Sequence, residues 1–214
     1  MTIHLEILQS AYLMGEQTIE NLNTKELVPT MVFRRRLTQA SKLVIELMHR
    51  IHFNDNRIMF GTAYGELEAT SKILNAIVHS SGISPTDFQN SVYNTAVSYS
   101  SILHHNEHEI MTISSGDETS EKLLKLGAIK ALDGDEIVLV ATETMNIENI
   151  NQINHCVEYL ECAVAFKVKV TAQKATLDLN TLNTDASLPK SIALLITLAK
   201  EMQQDQSNII SIQL

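Results

Sequence analysis

The sequence is poor in the residues that usually announce chemistry. It has no Trp, 2 Cys, 3 Pro and 7 Gly in 214 residues, and aromatics make up only 5% of it. Cys156 and Cys162 have no Cys-x-x-Cys spacing and no ladder of histidines beside them. Neither a disulfide framework nor a zinc site is therefore encoded, and a reducing cytoplasm fits. The scarcity of aromatics weakens any reading that needs stacked bases or sugars. Cations are also short: 16 Lys+Arg stand against 25 Asp+Glu, a net charge of -9. Such a field repels polyphosphates, which argues against nucleic acid as the main partner. The opening Met-Thr-Ile-His-Leu-Glu has no basic or apolar leader, and no window approaches the roughly 18 consecutive apolar residues of a membrane span. Also missing are Gly-x-x-x-x-Gly-Lys, Gly-x-Gly-x-x-Gly and Gly-x-Ser-x-Gly, so nucleotide and ordinary serine-hydrolase readings have no motif and no bound cofactor is expected.

What is present describes an ordinary folded chain, 44% hydrophobic and 19% charged. At 23.9 kDa, about 9,900 Å² of surface should stay exposed from roughly 35,000 Å² unfolded, enough burial for a core without disulfides or metal. Ile3 to Leu13 is β-rich and reads as a first strand, and Gly15 to Asn23 carries a weak helical pattern. Leu37, Ala40, Leu43, Val44, Leu47, Met48 and Ile51 recur at three and four, one face of a helix. Arg57 to Gly61 reads as a buried strand and Glu66 to His79 as a helix stopped by Gly82. Ser84 to Asp87 starts a turn of helix, Ser91 to Leu103 is a small-residue helix, and Glu109 to Ser114 is a strand.

Ser115-Gly-Asp-Glu118 then has the capping-box pattern, with Ser115 and Glu118 as the helix cap, and leads into Leu123, Leu124, Leu126, Ile129 and Leu132. A strand from Ile137 to Ala141 completes a βαβ unit, so the fold class is α/β, a mixed sheet covered by helices. Asn146 to His155 reads as a loop. Cys162 to Val170 alternates like a strand with one wet face, and Leu177 to Ala186 reads as a second loop. Leu188 to Met202 reads as a helix and Ile209 to Leu214 as a last strand. With no repeat and no flexible linker, residues 1–214 are expected to form one domain.

Two charged clusters need weighing. His104-His105-Asn-Glu-His108-Glu109 falls in a predicted helix-to-strand turn without the helical His-Glu-x-x-His spacing, so it reads as an exposed polar turn rather than a metal site. Arg34, Arg35 and Arg36 stand just before or at the start of a helix, where the macrodipole disfavours cations by about 0.3 to 1 kcal/mol. That placement makes them candidates for contact with an anionic carrier or partner.

The stretch from Ile83 to Gly134 carries a resemblance. Ile83-Ser-Pro85, Asn94 with Ile102 eight later, strand 109–114, a Ser-Gly turn, a helix, and Gly134-Asp135 before Ile137-Val-Leu-Val140 resemble the N-terminal half of β-ketoacyl synthases without a gap. Phe60-Gly61-Thr-Ala-Tyr64-Gly65-Glu66-Leu67 resembles the family's glycine-containing turn, and Glu143 also fits. The chain looks like the short ketosynthase-like family found beside aryl polyene synthases, whose members act as chain-length-factor-like partners. The resemblance implies a single thiolase-like half and places Asp117 where active enzymes carry their cysteine nucleophile. A carboxylate there cannot hold an acyl group as a thioester, and the histidines or lysine of a second half do not fit before Leu214.

The expected role is thus a catalytically silent cytoplasmic subunit. It would pair with a full-length β-ketoacyl synthase, as heterodimer or higher heteromer, and meet an acyl carrier protein indirectly. By resemblance the strand Glu109 to Ser114 and the helix from Asn94 to Leu103 lie at the partner's two-fold axis. Asn94, Thr95, Ala96, Ser98, Ser101, Met111 and Ile113 would border the interface or the partner's acyl tunnel. Two readings compete: a stand-alone acyl- or pantetheine-binding module, and a hydrolase using Ser115 or Asp117 with His108.

Overall fold

In the computed structural model, residues 1–150, 157–204 and 208–214 are described. Six strands form one mixed sheet in the order β3-β2-β4-β5-β1-β6: β1 Thr2–Gly15, β2 Arg57–Gly61, β3 Ile110–Ile113, β4 Ile137–Thr144, β5 Glu161–Val170 and β6 Ile209–Gln213. β2 runs parallel to both β3 and β4, and β5, β1 and β6 add successive antiparallel pairs. The helices are α1 Thr24–Leu27, α2 Met31–Arg34, α3 Gln39–Arg50, α4 Leu67–Val78, α5 Pro85–Asn90, α6 Thr95–His104, α7 Thr119–Lys130 and α8 Lys190–Gln204. The unit β3-α7-β4 is the expected βαβ, with β2 inserted between its strands.

Alternation along the strands sorts the core into two apolar layers. Ile58, Phe60, Val138, Val140, Ala163 and Ala165 pack with α3 and the start of α6. Met59, Leu139, Ala141, Cys162, Val164 and Phe166 pack with α7 and α8 on the other face. β5 is therefore covered on both sides from Glu161 to Phe166, which corrects the expected wet face. Ala163 and Ala165 alternate as small apolar residues because α3 lies on them, and polar exposure starts only at Lys167. α8 is apolar almost all round, from Ile192 to Ala199, and is buried accordingly. α7 approaches β4 closely at Gly127, where a Cβ would come within 2.5 Å of Leu139 Cδ2.

Other boundaries move for local reasons. The segment 16–23 is not helical: Ile19 N–H donates to Glu161 at 2.8 Å, and Asn23 N–H and side-chain amide donate to Glu46 at 3.0 and 3.1 Å. Two buried carboxylates hold it as an extended strap. Residues 91–94 form a turn rather than the first turn of α6, because α5 extends to Asn90. Arg34 lies in the last turn of α2, the favourable end of a helix for a cation. Its guanidinium donates to the carbonyls of Val28 at 2.6 Å and Pro29 at 3.0 Å. The tension expected at a helix start is thus absent. Part of the predicted loop Asn146 to His155, and Cys156, lie outside the described residues.

Candidate functional site

The C-terminal ends of β3, β2 and β4 form one edge of the sheet, the edge at which open α/β sheets present ligands. Three segments meet there. The turn after β3 contains Ser114 to Glu118, the turn after β2 contains Thr62 to Glu66, and the N-terminus of α8 closes over the end of β4.

Beyond β3, Gly116 adopts φ +55 and open space surrounds its would-be Cβ. Residues 116–118 make a 3₁₀ turn, and α7 starts only at Thr119. The expected cap by Ser115 and Glu118 does not form, since neither side chain makes a capping hydrogen bond. Thr119 takes that work: its hydroxyl accepts from Ser115 N–H at 3.1 Å and donates to the Gly116 carbonyl at 2.7 Å. The positive φ reverses the chain before the helix begins and leaves Glu118 to pair with Lys122 at 3.6 Å instead. Asp117 projects into solvent, its carboxylate 3.8 Å from Lys190 Nζ. Both side chains are mostly exposed, so this pair contributes at most about 1 kcal/mol.

The turn after β2 is built very differently. Glu143, at the end of β4 and 1% exposed, accepts from Ala63 N–H at 2.7 Å, Tyr64 N–H at 3.2 Å and the Thr62 hydroxyl at 3.1 Å. Ser191, at the start of α8, donates to the same carboxyl at 2.8 Å, and Gly65 N–H donates to the Thr62 hydroxyl at 2.9 Å. Burial pushes the Glu143 carboxyl up to about 7, against the pull of these four donors. Ser120 hydroxyl donates to the Ser191 carbonyl at 2.5 Å, locking α7 to α8. Cys162 faces this network from β5, and burial pushes its thiol up to about 12, which makes it an inert core residue.

The structure scatters the remaining candidates. His108 pairs with Asp55 at 3.6 Å at the N-terminal end of β3. Seven residues of extended chain put it on the order of 20 Å from Ser115, so no hydrolytic dyad of His108 with Ser115 or Asp117 exists. Among the described residues no three His, Cys, Asp or Glu side chains gather as a metal site. Thr95 is buried with its hydroxyl on the Asn90 carbonyl at 3.1 Å, and Ala96 is in the α3 core. Ser98 and Ser101 are half-buried, and Asn94 is exposed. Met111 and Ile113 pack toward α7, and β3 has a neighbour on one side only. Arg35 and Arg36 are exposed.

Sequence reasoning passed over Tyr64, Tyr93, Thr62 and Ser191. The available signal was Glu143 itself, an acid closing the otherwise apolar run Ile137 to Ala141, because a buried carboxylate requires donors. The largest unpredicted feature is apolar: Leu74, Ile77 and Val78 on α4, Ile83 and Phe88 near and on α5, and Val92 after it are 45% to 75% exposed.

A mixed sheet with α7 running from the turn at Asp117, and helices on both faces, defines a thiolase-like half domain. The chain matches the β-ketoacyl synthase N-terminal domain family over residues 10–212, and it belongs to that family. No curated protein matches it in sequence. Among solved structures it is similar to a chain from the complex of the ketosynthase ApeO with its chain length factor ApeC from Xenorhabdus doucetiae. That similarity has TM-score 0.69 and 18% identity, and covers 97% of each chain. It is also similar to the AntDE:AntF assembly, described as a type II polyketide acyl-carrier protein in complex with its ketosynthase, with TM-score 0.61 and 12% identity over 78% of this chain and 62% of that one. A β-ketoacyl synthase from Burkholderia phymatum gives TM-score 0.55 at 7% identity, over 79% of this chain and 59% of that one. At these identities the likeness is one of fold. No helix among the described residues is long and apolar enough to cross a membrane.

Proposed function

We propose that this chain is a non-catalytic, chain-length-factor-like subunit that pairs with a full-length β-ketoacyl synthase during acyl or aryl polyene elongation on an acyl carrier protein. The observation that carries the reading is the apolar face left uncovered by α4, α5 and the turn after them. The free edge of β3 adds unpaired backbone groups at the far side of the sheet from β6.

Catalytic silence follows from chemistry at the nucleophile turn. Asp117 offers a carboxylate where the family's thiol would stand, and beyond β4 the start of α8 sets Ser191 on Glu143, the acid at the end of that strand. Arg35 and Arg36, free of the carbonyl bonds that occupy Arg34, are the contacts offered to an acidic carrier or partner.

Co-expression with a full-length β-ketoacyl synthase from the same organism tests the reading. The two chains should purify as one complex, and this chain made alone should self-associate and retain no acyl label from carrier-protein or coenzyme A thioesters. A monodisperse monomer that forms no such complex would overturn it.

A further inference from the structure

Five of the chain's 8 histidines, His49, His52, His104, His105 and His108, stand at the ends of α3 and α6 or in the turn from α6 to β3, and the ketosynthase-partner reading uses none of them. Three of the five line one cavity of about 670 Å³ between the C-terminal ends of α3 and α6, a size that suits a small ligand. Met48, Phe53 and Leu103 supply apolar wall, and His49, His52 and His104 supply imidazoles. No Asp or Glu side chain lines it, although the chain carries 25 of them. His104 is firmly placed: its Nδ1 donates to the Ser100 carbonyl at 2.8 Å, and its ring stands edge-on to Phe53 with centroids 5.3 Å apart. That bond puts the ring proton on Nδ1 and leaves a lone pair at Nε2. His52 is placed at a cost, since it takes φ +48 just beyond α3, where glycine would be unstrained. Its hydrogen bonds among the described residues run through the backbone, N–H to the His49 carbonyl at 3.1 Å and carbonyl from the Lys167 ammonium at 2.9 Å. Glycine could make both. Strain of this kind persists where the side chain serves a site.

We propose that this cavity binds a small carboxylic acid with an apolar body, its carboxyl group on the imidazoles and its body against Met48, Phe53 and Leu103. Nε2 of His104 takes up the carboxylic proton, and the imidazolium so formed keeps the carboxylate through a charge-assisted hydrogen bond. The ring nitrogens of His49 and His52 are there for the second carboxylate oxygen. The absence of acidic side chains from the lining matters, because the field of a chain with net charge -9 otherwise repels an anion. A cationic ligand would find no counter-charge on this lining, and a bare inorganic anion would leave the apolar wall unused. The cavity lies before β2 and β3, at the opposite end of these strands from the turns that hold Asp117 and Thr62 to Glu66. It therefore stands independently of the ketosynthase-partner reading.

Isothermal titration of the full chain with octanoate, and with octanamide as the uncharged control, tests the proposal. One octanoate should bind per chain, at least tenfold more tightly than octanamide. His49→Ala combined with His52→Gly should weaken octanoate at least tenfold and keep the parental melting temperature, because alanine suits a helix and glycine suits the positive φ. A Leu74→Glu, Ile77→Glu chain, altered on the exposed apolar residues of α4, should bind octanoate as the parent does. Octanoate that does not bind, or binds no better than octanamide, overturns the proposal. Undiminished binding by the histidine variant also overturns it, as does loss of binding in the α4 variant, which would put the acid on that helix. Should the histidine variant melt early, the imidazole proton resonances of the parent chain decide the matter. Octanoate should shift those of His49, His52 and His104 and leave those of His4 and His79 in place, and unshifted resonances from the three cavity histidines would overturn the site.

Discussion

Helices α3 and α4 are each 12 residues long, and both carry apolar residues at spacings of three and four. α3 buries eight of its residues, including Leu43, Val44, Leu47 and Met48, beneath β4 and β5. α4 buries only Ala69, and Leu74, Ile77 and Val78 face water. Sequence periodicity treats the two helices alike, since amphipathicity says that a face will be covered and not by what. The sheet of this chain has room for α3 on one face and α7 with α8 on the other. α4 lies beyond those layers, and among the described residues Leu74, Ile77 and Val78 of its apolar stripe stay exposed.

The sharpest way to break that contrast is to truncate one equivalent side chain on each helix. Leu47→Ala in α3 should cost about 2 to 5 kcal/mol, since Leu47 is fully buried and its cavity cannot collapse against the sheet. Denaturant unfolding measures it. A loss below about 1 kcal/mol would mean that α3 is not the core helix described here.

Next in size is the anchor at the sheet's end. Glu143→Gln sets an amide nitrogen among four donors and should destabilise by about 1 to 3 kcal/mol. The pH dependence has a definite sign. Burial raises the Glu143 and Glu66 carboxyls from 4.5 to about 7, so between those values the folded chain holds protons that the unfolded chain has released. Their stabilising contribution is complete below about pH 4.5 and is lost as the pH rises through about 7. Unfolding free energy from these two groups should therefore fall across that window, and Glu143→Gln should flatten the fall and show its largest penalty at the acidic end. A penalty that grows with pH would mean that the four donors, not burial, dominate the carboxyl.

On α4 the expectation reverses. Ile77→Ala should change the stability of the isolated chain by no more than about 0.5 kcal/mol, because the side chain is 58% exposed. Ile77→Glu together with Leu74→Glu should improve solubility and weaken the complex with the ketosynthase at least tenfold. Titration of the two chains by light scattering reads both. Undiminished affinity would move the interface off α4 and toward the β3 edge alone.

The order of strands and helices was largely legible in the amino-acid sequence, because apolar periodicity and glycine punctuation are local signals. Leu37 to Ile51, Arg57 to Gly61, and the βαβ unit around Gly134 all read correctly for that reason. The errors fall where a distant group decides the local structure. Residues 16–23 are an extended strap because Glu161 and Glu46 hold them, and Ser115 does not cap because Gly116 turns the chain away first. The turn between β3 and α7 that holds Asp117 was visible through the strand, Ser-Gly and helix signals around it. The clamp of Glu143 on the Thr62 to Gly65 turn was not, because its partners come from segments 48 to 81 residues away.

The smallest change on stability is expected at Asp117, and it tests the proposed silence of the turn before α7 most directly. Asp117→Cys removes a carboxylate that makes one exposed contact, so stability should move by less than about 1 kcal/mol, the scale of a charge near a helix N-terminus. The new thiol would sit one turn ahead of α7 and, being exposed, should be alkylated readily, in contrast to buried Cys162. Condensation should still not occur, since the histidines closest in sequence, His104, His105 and His108, belong to the opposite end of β3 and none of the described residues is placed to act as the general base in their stead. Alkylation without turnover, read by mass spectrometry and by carbon dioxide release from a malonyl thioester, is the expected pair of results. Measurable condensation by the isolated Asp117→Cys chain would show that the exposed turn already contains a working site and that only the thiol had been lost.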